Sequence, residues 1–373
     1  MKVPFNVPTI VGTEDIYIKD CLDRRSIAAE HKFYKKCKTE LQHLFNESEI
    51  FLTKSCTSSL EASSILFDIG PGDEVIMPSF TFATTATSFV NRGAKIKFVD
   101  IRSDTLNIDE TLIESAITEN TKAIIPVHYA GVSCEMDTIL KIAKKYRLSV
   151  IEDAAQALGS TYKNRPLGSI GDSSCFSFHE TKNITSGEGG ALLVNNKHAI
   201  NRSQIVTRMG TNSKDFHDKK VSSYSWKDLG SSVLLSDLQC AVLFAQLERL
   251  DFIQHVRNNL WQRYYSNLSE CENVVLPQIP DYCEHNSHIF HIRLENEQAR
   301  NDIQAYLKNK GITSSFHFLP LHLSEAGKKY GTMNCDTNTV LESGRLLRLP
   351  LYHELATETV DFISEHVLGF FND

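Results

Sequence analysis

Lys182 stands in a polar loop between two apolar runs, in the segment CFSFHETKNITSGEGGALLV at residues 175–194. A free lysine amine has a pKa of about 10.4, and only its neutral or imine-linked form acts as a nucleophile or base. The apolar runs indicate strands of a buried core, where a charged ammonium is costly. Because an imine with an aldehyde cofactor removes that charge, Lys182 is the candidate for such a linkage.

A site for pyridoxal 5'-phosphate (PLP) needs an acid beside the ring nitrogen, a flat surface for the ring and a cradle for the phosphate. Asp153, which follows the apolar run SVIE, can supply the carboxylate, and its charge favours protonation of the ring nitrogen. Phe82 in PSFTF can stack on the ring. Gln156, three residues after the acid, can reach the ring hydroxyl.

The phosphate cradle is predicted where an apolar run, IFLTK, is followed by a helical segment that begins near Ser58. The backbone N–H groups of Cys56 and Thr57 open this helix and form an anion site. The hydroxyls of Thr57 and Ser177 can add hydrogen bonds.

Each residue also has an ordinary structural interpretation. A strand-end aspartate is more often a helix cap or turn residue, and Phe82 alone would be assigned to the core. A loop lysine is usually solvated, and glycines 187, 189 and 190 need mark only a tight turn. Only the combination of these groups indicates a cofactor site.

The elements that position these residues alternate along residues 50–205. Strands are predicted at 50–53, 73–79, 95–101, 122–131 and 148–155, with helices at 114–120 and 134–148 between them. Strands joined by crossover helices predict a mostly parallel α/β sheet, with ligands at the carboxyl ends of its strands.

The pattern changes after residue 205. A long polar loop is expected at 208–232, one long helix at about 236–268, and then a small α+β domain with a strand at 288–295 and helices at 299–311 and 358–371. The predicted division is a large cofactor-binding domain at 1–250 and a small C-terminal domain at 251–373.

Composition excludes several classes of protein. The net charge of −7 and the absence of a strong basic stripe argue against a nucleic-acid binder. The nine cysteines are scattered without a C-x-x-C pair, which favours a reducing cytoplasm, and no apolar run is long enough for a membrane span. No metal site is expected, because His285, His288 and His291 are spaced by three in an extended run and so alternate in direction.

The combined motifs resemble the DegT/DnrJ/EryC1/StrS family of sugar aminotransferases, over nearly the whole chain. The matching segments are PFNVPTIVGTE, SCTSSLEA, PGDEVIMPSFTF, VHYAG, VIEDAAQALGS and, most diagnostic, SFHETKNITSGEGG. The resemblance implies the aspartate aminotransferase-like fold of fold type I PLP-dependent transferases. It also implies a homodimer whose active sites are lined by both subunits.

The same resemblance implies a role for each matched position. Lys182 would be the Schiff-base lysine and Asp153 the partner of the pyridine nitrogen, with Gln156 at the ring oxygen and Phe82 stacked on the ring. Cys56, Thr57 and Ser177 would bind the phosphate, while His179 is assigned to the scaffold without chemistry.

One segment departs from the family pattern. Many members carry G-Y-N-Y-R-x-S-D, whose Asn and Arg reach the phosphate in the neighbouring subunit, whereas this chain has GSSVLLSD at 230–237. Ser232 stands in place of the Asn and Leu234 in place of the Arg. The contact across the subunits is therefore expected to be weakened or remade, with Ser232 able to donate one hydrogen bond.

Within the family, the chain is most similar to members that form dTDP-4-amino-4,6-dideoxygalactose. This implies L-glutamate as amino donor and a dTDP-linked 4-keto-6-deoxyhexose as acceptor, for cell-surface polysaccharide such as lipopolysaccharide. The alternatives are the gluco epimer, a 3-amino sugar, a UDP or GDP sugar, a deoxysugar dehydratase and a noncatalytic sensor. Lys182 argues against the dehydratases, which carry histidine at that position.

The pocket for the sugar and nucleotide is less defined by sequence. Aromatic and cationic side chains suit a base, a ribose and a diphosphate. The candidates are Lys219, Lys220, Tyr224, Trp226, His317 and His322.

Overall fold

The computed structural model describes residues 2–372. Its strands are β1 Glu49–Thr53, β2 Glu74–Pro78, β3 Lys95–Val99, β4 Thr121–Ile124, β5 Ser149–Asp153, β6 Thr161–Tyr162, β7 Arg165–Pro166, β8 Ser173–Ser177, β9 Gly190–Val194, β10 Cys283–Glu284, β11 Phe290–Arg293, β12 Gly331–Met333 and β13 Leu346–Leu349. Its α-helices are α1 Glu14–Arg24, α2 Lys32–Leu44, α3 Cys56–Leu66, α4 Ala83–Val90, α5 Glu110–Ala116, α6 Met136–Tyr146, α7 Ile200–Val206, α8 Ser213–His217, α9 Asp237–Leu247, α10 Leu250–Leu268, α11 Glu297–Asn309, α12 Glu325–Tyr330, α13 Thr339–Arg345 and α14 Thr357–Gly369.

The central sheet has eight strands in the order β1-β9-β8-β5-β4-β2-β3-β12. From β8 to β12 all neighbours are parallel, and β9 runs antiparallel to both β1 and β8. The predicted mostly parallel α/β sheet is therefore confirmed. The strand predicted at 122–131 is shorter than expected: regular pairing ends at Ile124, just before Pro126, which has no N–H to donate.

Alternating side chains of each strand enter two different hydrophobic clusters. Val150 of β5 belongs to the cluster beneath α1, α2, α6 and α9, whereas Ile151 belongs to the cluster beneath α3, α4 and α7. This is the two-residue period of a strand buried on both faces. The next two residues, Glu152 and Asp153, consequently point to opposite faces.

The prediction of one continuous helix at 236–268 is wrong, because the structure has two helices there. The chain leaves helical geometry at Arg249, with φ −118° and ψ 11°, between α9 and α10. Leu247 and Leu250 both remain buried in the same cluster across the break. The polar loop at 208–232 contains only the short helix α8.

The C-terminal part has its own hydrophobic cluster, formed mainly by α10, α11, α14, β11 and β13. The strand at 288–295 and the helices at 299–311 and 358–371 are confirmed with small shifts of their bounds. Two segments link the parts: Val3 packs in this C-terminal cluster, and β12 pairs with β3 of the central sheet. The division at residue 250 stays a prediction.

Among residues 2–372, no helix combines the length and the apolar composition needed to cross a bilayer.

Candidate active site

A cleft of about 580 Å³ opens at the carboxyl ends of the parallel strands. It is bordered by the residues that follow β1, β2, β5 and β8, together with residues of the C-terminal part. Seven of the eight predicted cofactor residues line it: Cys56, Thr57, Phe82, Asp153, Gln156, Ser177 and Lys182.

Lys182 lies in the turn after β8, where its backbone N–H donates to the carbonyl of His179 at 2.9 Å. Within residues 2–372 its amine makes no hydrogen bond, although it lies within electrostatic range of Asp153. Burial lowers the pKa of Lys182 to about 8, and the charge of Asp153 opposes that shift only in part. The share of neutral amine near physiological pH is therefore much larger than for a solvated lysine, as a nucleophile requires.

Asp153 ends β5 and is only 5% exposed. Its carboxylate accepts from Thr85 Oγ1 at 2.8 Å and from the backbone N–H of Ala155 at 3.2 Å. Burial raises the pKa of Asp153, because these two donors do not replace the water it has lost. The carboxylate thus has capacity for a cationic partner on the cleft side, and a protonated ring nitrogen fits that need.

The start of α3 forms an anion cradle. Ser55 caps this helix by accepting from the N–H of Ser58 at 3.0 Å, so the N–H groups of Cys56 and Thr57 border the cleft free of that cap. A Cβ on Gly190 would lie 2.5 Å from the carbonyl carbon of Ser55 and 2.6 Å from the N of Cys56. Only glycine on β9 therefore lets the cradle pack this closely, and the cradle fits the phosphate of PLP.

Gln156 and Phe82 complete the surface that fits a pyridine ring. Gln156 Oε1 accepts from the N–H of Ala130 at 2.7 Å, which leaves its amide N–H₂ group to donate toward the cleft. Phe82 is 60% exposed and its ring lies 6.2 Å from that of Phe318, so a flat apolar face is open to a ligand.

Ser232 is not part of the cleft lining. Its carbonyl and its hydroxyl accept from Lys54 Nζ at 2.6 and 3.3 Å, and Leu234 pairs with Thr53 at the end of β1. The segment that departs from the family pattern therefore lies against the strand that leads into the phosphate cradle. Its predicted cofactor contact stays a prediction.

Of the six candidates for the sugar pocket, His317 lines the cleft and bonds the Tyr129 hydroxyl at 3.1 Å. His322 lies outside it, held by Ser79 Oγ at 2.7 Å and by Asp336 at 2.9 Å. The remaining four do not line the cleft either and lie on an exposed loop; they are Lys219, Lys220, Tyr224 and Trp226.

Three cleft residues carry signals that sequence reasoning missed. Arg348 lines the cleft from β13, where it is the single charge among leucines in LLRLPL, a pattern that could have singled it out. His288 donates from Nδ1 to Asn183 Oδ1 at 2.8 Å, and burial holds its pKa well below the usual range. His128 also lines the cleft, although its ring nitrogen bonds Glu152 behind the sheet.

His179 borders the cleft as well, with its Nδ1 atom 3.0 Å from Thr181 Oγ1. Its assignment to the scaffold stays a prediction. In the part of the chain that the structure describes, no three His, Cys, Asp or Glu side chains cluster in a way that could hold a metal ion.

Comparison with known proteins agrees with this geometry. The model of the DegT/DnrJ/EryC1/StrS aminotransferase family matches residues 8–368. The spore coat polysaccharide biosynthesis protein SpsC of Bacillus subtilis is 34% identical, covering 98% of this chain and 96% of SpsC.

Two solved structures show the same fold over nearly full length. The putative sugar aminotransferase Spr1654 of Streptococcus pneumoniae, in its PMP form, has a TM-score of 0.89 at 28% identity, with 98% of each chain covered. It is also solved in a PLP form. PseC of Helicobacter pylori, an aminotransferase involved in the biosynthesis of pseudoaminic acid, has a TM-score of 0.91 at 25% identity, with 100% of each chain covered. The predicted fold type I architecture and the predicted cofactor are confirmed.

Proposed function

The chain belongs to the DegT/DnrJ/EryC1/StrS aminotransferase family and is a PLP-dependent sugar aminotransferase, and on that premise we propose that it transfers the amino group of L-glutamate to C4 of a nucleotide-linked 4-keto-6-deoxyhexose. The proposed conversion is dTDP-4-keto-6-deoxyglucose to dTDP-4-amino-4,6-dideoxygalactose, for a cell-surface polysaccharide or O-antigen. The observation that carries the chemistry is the amine of Lys182, whose pKa burial lowers to about 8, in the same cleft as the Asp153 carboxylate, which accepts two hydrogen bonds among residues 2–372.

The choice of sugar rests on similarity. The motifs DTLNIDETLIE and PVHYAGVSCEMDTI and the segment LLRLPL resemble those of enzymes that make this product. The similarity to SpsC, a spore coat polysaccharide biosynthesis protein, supports the same class of pathway.

PLP, when bound, withdraws electrons from the carbon attached to the transferred nitrogen, which makes a proton on that carbon removable. Asp153 holds the proton on the ring nitrogen that this withdrawal requires. The N–H groups of Cys56 and Thr57 hold the phosphate at the start of α3, and Phe82 covers one face of the ring.

Lys182 is the group that moves protons. Its amine takes the proton from Cα of glutamate in the first half-reaction and delivers a proton to C4 of the sugar in the second. A lysine with a pKa of about 8 suits both tasks, because the general acid or base works best when its pKa is near the operating pH. The ring face of the sugar that Lys182 serves sets the configuration of the new amine.

We also propose a cytoplasmic homodimer whose two subunits share each active site. Two features support this arrangement: Trp226 in the 208–232 loop is 77% exposed, and Leu319 beside the cleft residues His317 and Phe318 is 73% exposed. Large exposed apolar side chains of this kind are typical of association surfaces. In such a dimer, Tyr224, Trp226, Lys219 and Lys220 contact the nucleotide bound to the partner subunit.

The proposal is tested with purified enzyme, L-glutamate and a panel of dTDP, UDP and GDP keto-deoxysugars, with the product configuration determined by NMR. The expected product is the 4-amino-4,6-dideoxygalactose sugar on dTDP. If the product is the gluco epimer or a 3-amino sugar, or if the enzyme prefers another nucleotide, the assigned sugar changes. The assignment as an aminotransferase stands in each of these cases. If the enzyme forms no amino sugar from any of the 4-keto substrates, the proposal is overturned.

A second experiment tests the cofactor linkage independently of turnover. Borohydride reduction followed by peptide mass spectrometry is expected to find the reduced cofactor on Lys182. Reduction that leaves Lys182 unmodified would favour a noncatalytic role.

A further inference from the structure

His179 and Glu188 are two polar side chains of the cleft that have no part in the proposed mechanism. They lie on either side of Lys182 in the chain, at the two ends of the loop that joins β8 to β9. The backbone N–H of Phe178 donates to the carbonyl of Gly189 at 2.8 Å and closes this loop at its base. His179 and Glu188 are the next residues into the loop, and their side chains meet across it.

The hydrogen bonds of His179 determine which ring nitrogen carries its proton. Its Nδ1 atom accepts from the backbone N–H of Thr181 at 3.3 Å and lies 3.0 Å from the hydroxyl oxygen of the same residue. A ring nitrogen that accepts a hydrogen bond has no proton of its own, so the proton is on Nε2. His179 therefore presents an N–H donor on the side of Glu188.

Glu188 presents the complementary acceptor. Its Oε1 atom lies 3.6 Å from Nε2 of His179, which is too long for a hydrogen bond. Among residues 2–372 its carboxylate makes no hydrogen bond, and the His179 ring is its only neighbour at ion-pair distance. The backbone of Glu188 is held in place, because its carbonyl accepts from Ser186 Oγ at 2.8 Å and from Gln239 Nε2 at 2.7 Å.

A donor and an acceptor at this separation match a hydroxyl group. A hydroxyl accepts one hydrogen bond and donates another, so one hydroxyl of a sugar can bridge Nε2 of His179 and the carboxylate of Glu188. The two side chains are 40% and 65% exposed, which leaves the approach from the cleft open. The bond to the carboxylate is charge-assisted and is therefore the stronger of the two.

We propose that His179 and Glu188 bind the C3 hydroxyl of the 4-keto sugar, an inference that rests on the proposed function. The backbone N–H of Lys182 donates to the carbonyl of His179 at 2.9 Å, so the two residues belong to one turn. A carbonyl carbon that reacts at the Lys182 amine therefore has its neighbouring carbons close to the pair. Of those neighbours, C5 carries the ring oxygen and a methyl group, and C3 carries a hydroxyl. This role differs from the scaffold role that the family resemblance implies for His179.

The anionic groups of the reaction fit this pair less well. The carboxylates of the amino donor and the diphosphate of the nucleotide would meet the negative charge of Glu188, and like charges placed side by side are costly. The cofactor phosphate has its own site at the start of α3. A neutral group that both donates and accepts, such as a sugar hydroxyl, is the better match.

The test compares the 4-keto-6-deoxyglucose substrate with its 3-deoxy analogue, each on the nucleotide that the wild type prefers. The value of kcat/KM is measured for the wild-type holoenzyme, Glu188→Ala, His179→Phe and the control Arg263→Gln. Arg263 forms an exposed ion pair with Asp361 in the C-terminal part. For the hydroxylated sugar, Glu188→Ala should lower kcat/KM by about 10- to 100-fold and His179→Phe by about tenfold. For the 3-deoxy sugar, both variants should equal the wild type.

The donor half-reaction shows whether the loop around Lys182 stays intact. Conversion of the bound cofactor by L-glutamate, followed by absorbance, and borohydride labelling of Lys182 should match the wild type in all three variants. If His179→Phe does not fold, Glu188→Ala decides the question, because the Glu188 carboxylate makes no hydrogen bond in the described part of the chain.

The outcomes separate this inference from the proposed function. A wild type that uses the two sugars equally well, or variants that keep its preference or lose activity equally on both sugars, would overturn the inference alone. A loss confined to the glutamate half-reaction would do the same. A 3-amino product also overturns it, because C3 is then the reacting carbon. A wild type that aminates no keto sugar overturns the proposed function and this inference with it.

Discussion

Glu152 and Asp153 are adjacent buried carboxylates that β5 sends to opposite faces of the sheet, and their surroundings differ sharply. Glu152 accepts from His128 Nε2 at 3.0 Å and from three backbone N–H groups between residues 168 and 171 at 2.6–2.8 Å. Burial alone would raise the pKa of Glu152, but these hydrogen bonds, led by that of His128, lower it. Asp153 has two donors, and burial raises its pKa.

The difference separates a charge whose hydrogen bonds are internal to the chain from one that is proposed to bind the cofactor. The hydrogen bonds of Glu152 are complete within the chain, and they tie β5 to the turn at 168–171. Asp153 accepts hydrogen bonds from only two donors among residues 2–372, Thr85 and Ala155, so its ionised form is best stabilised when a cationic ligand is bound. Arg293, which pairs with Glu342, and Arg348, which has no partner among residues 2–372, repeat the contrast for cations.

The largest effect is expected from removing the amine that shares the cleft with Asp153. Lys182→Ala should lose turnover by more than about 10⁴-fold, because both proton transfer and covalent cofactor exchange depend on this amine. Steady-state turnover and borohydride labelling measure the loss, with Arg263→Gln as the surface control. Substantial turnover in Lys182→Ala would contradict the proposed mechanism.

Asp153→Asn tests the functional side of the comparison. Turnover should fall by about 10²- to 10³-fold, because a preorganised charge beside the ring nitrogen is lost. The cofactor-free variant should be at least as stable as the wild type at pH 7. A raised folded pKa means that ionised Asp153 costs stability above that pKa. Turnover measures the first effect, and denaturant unfolding without PLP measures the second. A large loss of stability with normal turnover would show that Asp153 has a structural role instead of a functional one.

Glu152→Gln tests the structural side. The free energy of unfolding should fall by about 1–3 kcal/mol, because buried donors lose hydrogen bonds to a charged acceptor, and the loss of kcat should be smaller than that of Asp153→Asn. Because the folded pKa of Glu152 is lowered, its contribution is present above the unfolded pKa and is lost as pH falls through the folded one. Urea unfolding at pH 7 and at acid pH should show the difference between variant and wild type shrinking on acidification. A constant difference would contradict this account.

Gly190→Ala tests whether the cradle depends on close backbone packing. Its Cβ would lie 2.5–2.6 Å from the backbone of Ser55 and Cys56, so the first turn of α3 must shift. The Kd for PLP should rise about tenfold, equivalent to about 1.4 kcal/mol. Gly344→Ala is the matched control, because its nearest neighbour, on the side chain of Glu297, lies at an ordinary 3.6 Å. Unchanged PLP affinity in Gly190→Ala would remove the packing argument.

An effect of similar size is expected in the pH dependence of cofactor capture. The neutral amine of Lys182 reacts with an aldehyde, and burial lowers its pKa to about 8. The rate at which the cofactor-free enzyme captures PLP should therefore rise about tenfold between pH 7 and pH 9 and then level off. Stopped-flow absorbance measures this rate, and a rise that continues toward pH 10.5 would show that Lys182 is not desolvated.

Much of this protein follows from local sequence. The strands from β1 to β5, the helices of the C-terminal part and the cofactor residues from Cys56 to Lys182 are recognisable, because each depends on periodicity or on a motif within a few residues. The sequence pattern did not predict the break at Arg249, because the helical periodicity of apolar residues continues across it. His322 was a candidate for the sugar pocket, but its two partners, Ser79 and Asp336, are distant in the chain and hold it outside the cleft.

The sequence by itself determined the fold class and the family and singled out Lys182 for the proposed chemistry, because those are properties of residue type and short-range spacing. Only the tertiary structure decided that Glu152 accepts four hydrogen bonds while Asp153 accepts two, and that the Arg348 side chain in the cleft has no hydrogen-bond or ion-pair partner among residues 2–372. Burial and hydrogen-bond partners determine which charges are left for a ligand, and both come from segments far apart in the chain that meet only when it folds.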